Sequence, residues 1–148
     1  MQLPHPQDPQ SKGKYHFEYE IPLKTTSEAN SREHWAVKHK RHANQKKAIW
    51  GLFMKERPQI ILPCVIHIIR ISPRQLDSDN LLTSLKYIRD AIAEQLIPGK
   101  AVGRADDSRD LAWRYSQEKG KPQAIKIILR PFPQSLLEEQ GYANCIFF

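Results

Sequence analysis

Asp77-Ser78-Asp79-Asn80-Leu81-Leu82-Thr83-Ser84-Leu85-Lys86-Tyr87-Ile88-Arg89-Asp90-Ala91-Ile92-Ala93-Glu94-Gln95-Leu96 is the stretch that decides the fold. An apolar run precedes it, and a Pro/Gly loop ending in Asp106-Asp107 follows it. Two carboxylates alternate where the apolar run ends. Side chains two residues apart on a strand share one face, so Asp77 and Asp79 are expected side by side at a strand end. Asp and Asn are preferred helix N-caps. Asp79-Asn80 is therefore expected to close the strand and open a helix. With Asp79 at zero, Leu81, Leu85, Ile88, Ile92 and Leu96 fall between about 180° and 260° around that helix. They form an apolar stripe that demands a core. Lys86 and Asp90 fall at about −20° and +20°, on the opposite face and above Asp79.

Carboxylates from two separate stretches suggest a site for a hard divalent cation. Mg²⁺, or Mn²⁺ in its place, takes a few carboxylate oxygens and leaves positions for water and a substrate phosphate. Asp77, Asp79 and the pair Asp106-Asp107 supply the oxygens. Lys86, about 10 Å up the axis from Asp79, leans back toward them and can meet a phosphate or developing charge. That combination suits phosphodiester hydrolysis. Spacing alone does not choose between Asp106 and Asp107. Asp90 lies about 16 Å along the axis from Asp79, too far to share its metal, and is expected to orient Lys86 at i, i+4. The plainer reading makes the same acids turn and cap residues. A calcium loop of the EF-hand type fails, because Leu81, Leu82 and Ile88 stand where it needs Asp/Asn, Gly and Glu.

The ordered set Asp77-x-Asp79-Asn80-Leu81, Lys86, Asp90 and Asp106-Asp107 resembles the RusA family of Holliday-junction resolvases. The likeness extends to Trp113-Arg114-Tyr115, Lys119-Gly120 and the strand over residues 125–129. Upstream it takes in Asn30-x-Arg32-x-His34-Trp35 and the basic run that follows. It spans most of residues 15–130. The resemblance implies a Mg²⁺-dependent, homodimeric endonuclease that resolves four-way DNA junctions in recombination or repair. It assigns the essential acids to Asp77, Asp79 and Asp107, and the lysine to Lys86. The spacing from Asp77 to Lys86 is longer than in the founding member, where Thr83 would replace the lysine. Phage-type members use the longer spacing.

Outside this stretch, charge is the main signal. The chain has 148 residues and a formal net charge of +7. That excess favours a polyanionic partner such as nucleic acid. The stretch over residues 38–47 carries Lys38, Lys40, Arg41, Lys46 and Lys47 with one apolar residue, Ala43. It lies inside a helix expected from Ser31 and His34-Trp35 to about Glu56, anchored by Trp35 at one end and by Ile49, Trp50, Leu52 and Phe53 at the other. It reads either as a solvated face or as a surface along a phosphate backbone. Arg32, Lys100 and Arg104 are further candidate phosphate contacts. His34, His39 and His42 lack the acid or cysteine partners of a zinc site.

Residues 15–23 alternate as a half-buried strand. Residues 63–71 are nearly continuously apolar and read as a central strand buried on both faces. Cys64 within it reads as a buried free thiol. Residues 111–116 and 124–129 read as two strands of a hairpin, turned at Lys119-Gly120-Lys121-Pro122. The expected fold is α+β. It is one domain whose mixed sheet has about four strands and two main helices on one face, in the order β-α-β-α-β-β. Residues 1–13 are expected to be a disordered leader, 14–131 the nuclease-like domain, and 132–148 a C-terminal extension. No apolar run is long enough to span a membrane and no nucleotide-binding glycine loop is present, so a cytoplasmic protein without a nucleotide cofactor is expected. One acidic cluster makes one nick, so resolving a junction needs two copies. Trp113, Tyr115 and Phe147-Phe148 are candidate dimer contacts.

Overall fold

The computed structural model describes residues 15–28, 31–99, 104–132 and 146–147. The expected leader and most of the C-terminal extension lie outside them. The elements are β1 (Phe17–Ile21), α1 (Trp35–Glu56), β2 (Cys64–Ser72), α2 (Ser78–Leu96), a 3₁₀ turn (Ala105–Asp107), β3 (Leu111–Lys119), β4 (Ala124–Pro131) and β5 (Ile146–Phe147). The α+β class and the order β-α-β-α-β-β hold, with β5 as a two-residue addition.

One sheet carries the strands in the order β1-β4-β2-β3-β5. β2 is the centre, parallel to β3 and antiparallel to β4. Its alternate residues Cys64, Ile66 and Ile68 share one core with Ile49 and Phe53 of α1 and with Leu81, Leu85, Ile88 and Ile92 of α2. Val65 and Ile69 on its other face are buried too. The expectation of a strand buried on both faces therefore holds. Burial pushes the Cys64 thiol up to about 12, as befits an inert core thiol.

The expected hairpin does not form. β3 and β4 are joined by four residues, yet β2 lies between them. A link across two strand spacings must cover about 10 Å, which four extended residues can do. The connection passes over the end of β2, where the Gly120 amide donates to the Ser72 carbonyl at 3.1 Å. The most apolar strand takes the position with two partners, and the two later strands divide around it.

Two further expectations are corrected. Trp113 and Tyr115 are each 2% exposed and belong to the core, so they are not available as dimer contacts. Trp35 and Trp50 do not anchor α1, being 72% and 45% exposed. Its inward positions are Gln45, Ile49 and Phe53.

The face of β2 opposite α1 and α2 carries His67, whose Nε2 lies 2.6 Å from the Ser116 hydroxyl. Burial first, then Arg114 and Arg130, hold its imidazole down to about 4. The unfolded chain has the ordinary value of about 6.5. Between those values the unfolded chain binds a proton that the folded chain refuses, so stability falls as pH drops from about 6.5 toward 4. His67→Gln is expected to flatten that part of the curve, read as urea midpoints between pH 7 and pH 4.5. An unchanged slope would place its origin elsewhere. At the β3–β4 link, a Cβ on Gly120 would sit 2.9 Å from Ile71 Cγ2. Gly120→Val is expected to cost about 1–3 kcal/mol in denaturant unfolding, the range for overpacking. A wild-type midpoint would mean that the link tolerates the added bulk.

Candidate metal and nucleic-acid site

The chain leaves β2 at Ser72 and reaches α2 through a short, tied loop. Arg70, 5% exposed, donates from Nε to Thr25 Oγ1 at 2.9 Å and from a terminal nitrogen to the Arg74 carbonyl at 2.7 Å. The Gln117 amide of β3 then clamps Leu76. Its oxygen accepts from the Leu76 amide at 2.9 Å, and its nitrogen donates to the Leu76 carbonyl at 2.5 Å. The residue after this clamp is Asp77.

Asp77 is the N-cap of α2, and Asp79 lies in the first helical turn. This corrects the expectation of two acids on one strand face with Asp79-Asn80 as the cap. β2 ends five residues before Asp77. The Asp77 carboxylate accepts from the Asn80 backbone amide at 2.9 Å and from the Asn80 side-chain amide at 2.9 Å. Asn80 in turn accepts from the Ser27 hydroxyl at 2.5 Å, tying the cap to the β1–α1 loop. Two acids at a helix N-terminus are favoured by the helix dipole. Asp79 is exposed, and no hydrogen bond or ion pair engages its side chain among the described residues. Leu81, Leu85, Ile88 and Ile92 face the core and Lys86 faces solvent, as the helical angles predict. Lys86 Nζ lies 5.7 Å from the centre of the Tyr87 ring, which stacks on His42 of α1 at 3.5 Å.

The second acidic pair sits beside the middle of α2. Arg89 Nε lies 3.4 Å from the Asp106 carboxylate, an ion pair without hydrogen-bond geometry. The Arg89 guanidinium also lies over the Trp113 ring at 5.1 Å. The Trp113 indole donates to the Asp106 carbonyl at 3.1 Å. Asp106 is thus held on both its side chain and its backbone, whereas Asp107 is exposed and without a side-chain partner among the described residues. Asp90 is half-buried. Burial first, then the nearby Asp106, raise its carboxyl above the usual range, against the lowering pull of Lys86, Arg89 and Lys46. No ion pair or hydrogen bond joins Asp90 to Lys86 among the described residues, so the expected orienting contact at i, i+4 does not form. The signal for Arg89 in the sequence is its angle of about 280°, which borders the apolar stripe, where a long cation can reach over the core edge. Gln117 carried no sequence signal.

The acids do not form a ready cage. Among the described residues, no group of three or more His, Cys, Asp or Glu side chains is placed to hold a metal ion. Asp77, Asp79 and Asp107 have the hard oxygens that Mg²⁺ prefers, so the donor chemistry fits while the assembly is incomplete.

The basic candidates divide in a similar way. Arg41 is bound by Glu28 at 2.9 Å and by Glu33 at 2.6 Å. Lys46 pairs with Glu94 of α2 at 3.5 Å, and Lys38 donates to the Ser31 carbonyl at 3.0 Å. Arg32, Lys40, Lys47 and Arg104 are exposed. Lys100 lies outside the described residues. Residues 38–47 are not uniformly unpacked, since Gln45 is 1% exposed and donates to the Lys24 carbonyl at 3.4 Å.

No protein-family model matches the chain, and no curated protein matches it. Among the described residues, no helix is long and apolar enough to cross a membrane.

The cap geometry gives a test that separates folding from chemistry. Asp77→Ala is expected to lose about 1 kcal/mol in chemical unfolding, the usual value of an N-cap. Asp77→Asn should keep most of that stability, because Asn caps equally well. If both variants lose the same amount, the charge and not the cap is the stabilising feature.

Proposed function

We propose that this chain is a Mg²⁺-dependent endodeoxyribonuclease that resolves four-way DNA junctions as a homodimer. The supporting observation is a pair of exposed carboxylates, Asp79 and Asp107, that have no side-chain partner among the described residues, with the exposed Lys86 on the same helix as Asp79. They occur in a chain of net charge +7. Acids left without partners on a basic protein are available to a cation. Asp77, Asp79 and Asp107 would supply the oxygen donors, and Asp106 is committed to Arg89. The metal, when bound, activates water and offsets phosphate charge. Lys86 meets the phosphate or the charge that develops on it. Asn80 fixes the Asp77 carboxylate through two hydrogen bonds. Arg32, Lys40, Lys47 and Arg104 give the DNA its non-specific hold.

A second reading is a non-catalytic basic module that binds nucleic acid. The observation favouring it is the N-cap role of Asp77, whose two carboxylate oxygens both accept from Asn80. The two readings differ in what Mg²⁺ does. For the nuclease, a labelled four-way junction is nicked with Mg²⁺ and left whole without it. Asp77→Asn, Asp79→Asn and Asp107→Asn each lower the cutting rate by ~10²-fold or more, the scale of losing a principal electrostatic group. Junction binding survives in all three. On a supercoiled cruciform, paired cuts in one binding event yield linear plasmid. Binding without cutting selects the module, and wild-type cutting by Asp79→Asn removes that residue from the site.

A further inference from the structure

Trp35 is the most exposed of the large apolar side chains among the described residues, at 72%. It is the first residue of α1, so its backbone is fixed by a regular helix. His34 caps that helix by accepting from the Ala36 amide at 3.2 Å, and its ring lies 5.6 Å from the Trp35 ring, tilted by 36°. The indole is therefore presented at a helix end with a second ring beside it. Burying an indole face is worth far more than leaving it in water. Its surroundings point to the occupant.

Lys38, three residues on, lies beside Trp35 on the helix surface, and the exposed Arg32 stands three residues before it. The nearby acids are bonded chiefly to Arg41: Glu33 holds it at 2.6 Å, and Glu28 holds it at 2.9 Å and faces His42 at 3.1 Å. A flat apolar ring with Arg32 and Lys38 beside it is complementary to a nucleotide, with its flat base and anionic phosphate. A second copy of the chain fits poorly, because a two-fold contact centred on Trp35 would press the same cations against each other. We propose that Trp35 stacks on an exposed nucleobase, while Arg32 and Lys38 hold the adjoining phosphates. Base faces inside an intact duplex are covered by their neighbours. A ring at this position therefore selects single strands, ends and branch points over continuous duplex. The inference rests on the nucleic-acid partner proposed above but not on cleavage.

Binding without metal tests it, since no cutting can then intervene. Fluorescence anisotropy would compare a four-way junction, a single strand and a closed dumbbell duplex of equal length. Trp35→Ala is expected to weaken junction and single-strand binding by about 10-fold or more, within the range for loss of one stacked base. Dumbbell binding should change by less than about two-fold, and the salt dependence should keep its slope, because no phosphate contact is removed. Trp35→Phe should restore most of the affinity. Equal losses on all three DNAs, or no loss on any, would overturn the proposal. So would conversion of a dimer to a monomer by Trp35→Ala, which would make the ring a contact between copies. If the wild type binds no DNA, this inference and the nuclease reading fall together. If Trp35→Ala shows the expected selectivity but the wild type never cuts with Mg²⁺, the stacking role stands and the nuclease reading fails alone.

Discussion

β2 is buried on both faces and bonded on both edges, and this constraint organises the rest of the molecule. A strand with Cys64, Ile66 and Ile68 on one side and Val65 and Ile69 on the other has no face to give to water. It must sit in the middle of a sheet with neighbours on both edges. β3 follows it through the α2 crossover and so lies parallel. β4 then returns antiparallel on the other edge. The split between β3 and β4 is a consequence of where β2 goes, and the close approach of Gly120 to Ile71 marks the crossing point.

The same strand determines where the candidate acids stand. β2 ends at Ser72, and the four residues before Asp77 are held at Arg74 by Arg70 and at Leu76 by Gln117. Leu76 is therefore attached to β3 before the helix begins. Asp77 acts as a cap, and Asp79, in the first turn of the helix, has no side-chain partner among the described residues. One acid is bonded to the helix start and the other faces solvent. Arg89 divides the second pair in the same way, holding Asp106 and leaving Asp107 exposed.

Apolar periodicity made most of the frame legible. The α2 stripe, the central strand, the two long helices and the element order all follow from which positions are apolar and at what period. What could not be read were features that depend on the partners of a strand or a ring. A short turn between two strands looks like a hairpin until a third strand competes for the middle. Trp35 and Trp113 are the same residue type in comparable local surroundings, yet one is exposed and the other is in the core. Nothing local separates them, because the difference lies in what packs above each ring. At the candidate site the residue types were legible, whereas their spatial grouping was not. Asp77 and Asp79 occupy a helix start where strand alternation had been expected, and a helix turns by about 100° per residue where a strand turns by about 180°.

α1 shows why charge counts alone mislead about surface charge. Its inward face begins polar, with Arg41, His42 and Gln45, and only then becomes Ile49 and Phe53. Arg41 is spent on fastening Glu28 and Glu33, and Lys46 on reaching Glu94 across to α2. These cations stabilise the packing of a helix that has too few apolar residues to do so by burial. The cations facing solvent are a smaller set that includes Arg32, Lys40 and Lys47. Lys40 and Lys47 lie on the outer side of the helix, and Arg32 stands just before its first residue, the exposed Trp35. The polar inward face thus has two effects. It holds α1 against the β1–α1 loop and α2, and it removes the acids that would otherwise cancel the outer cations.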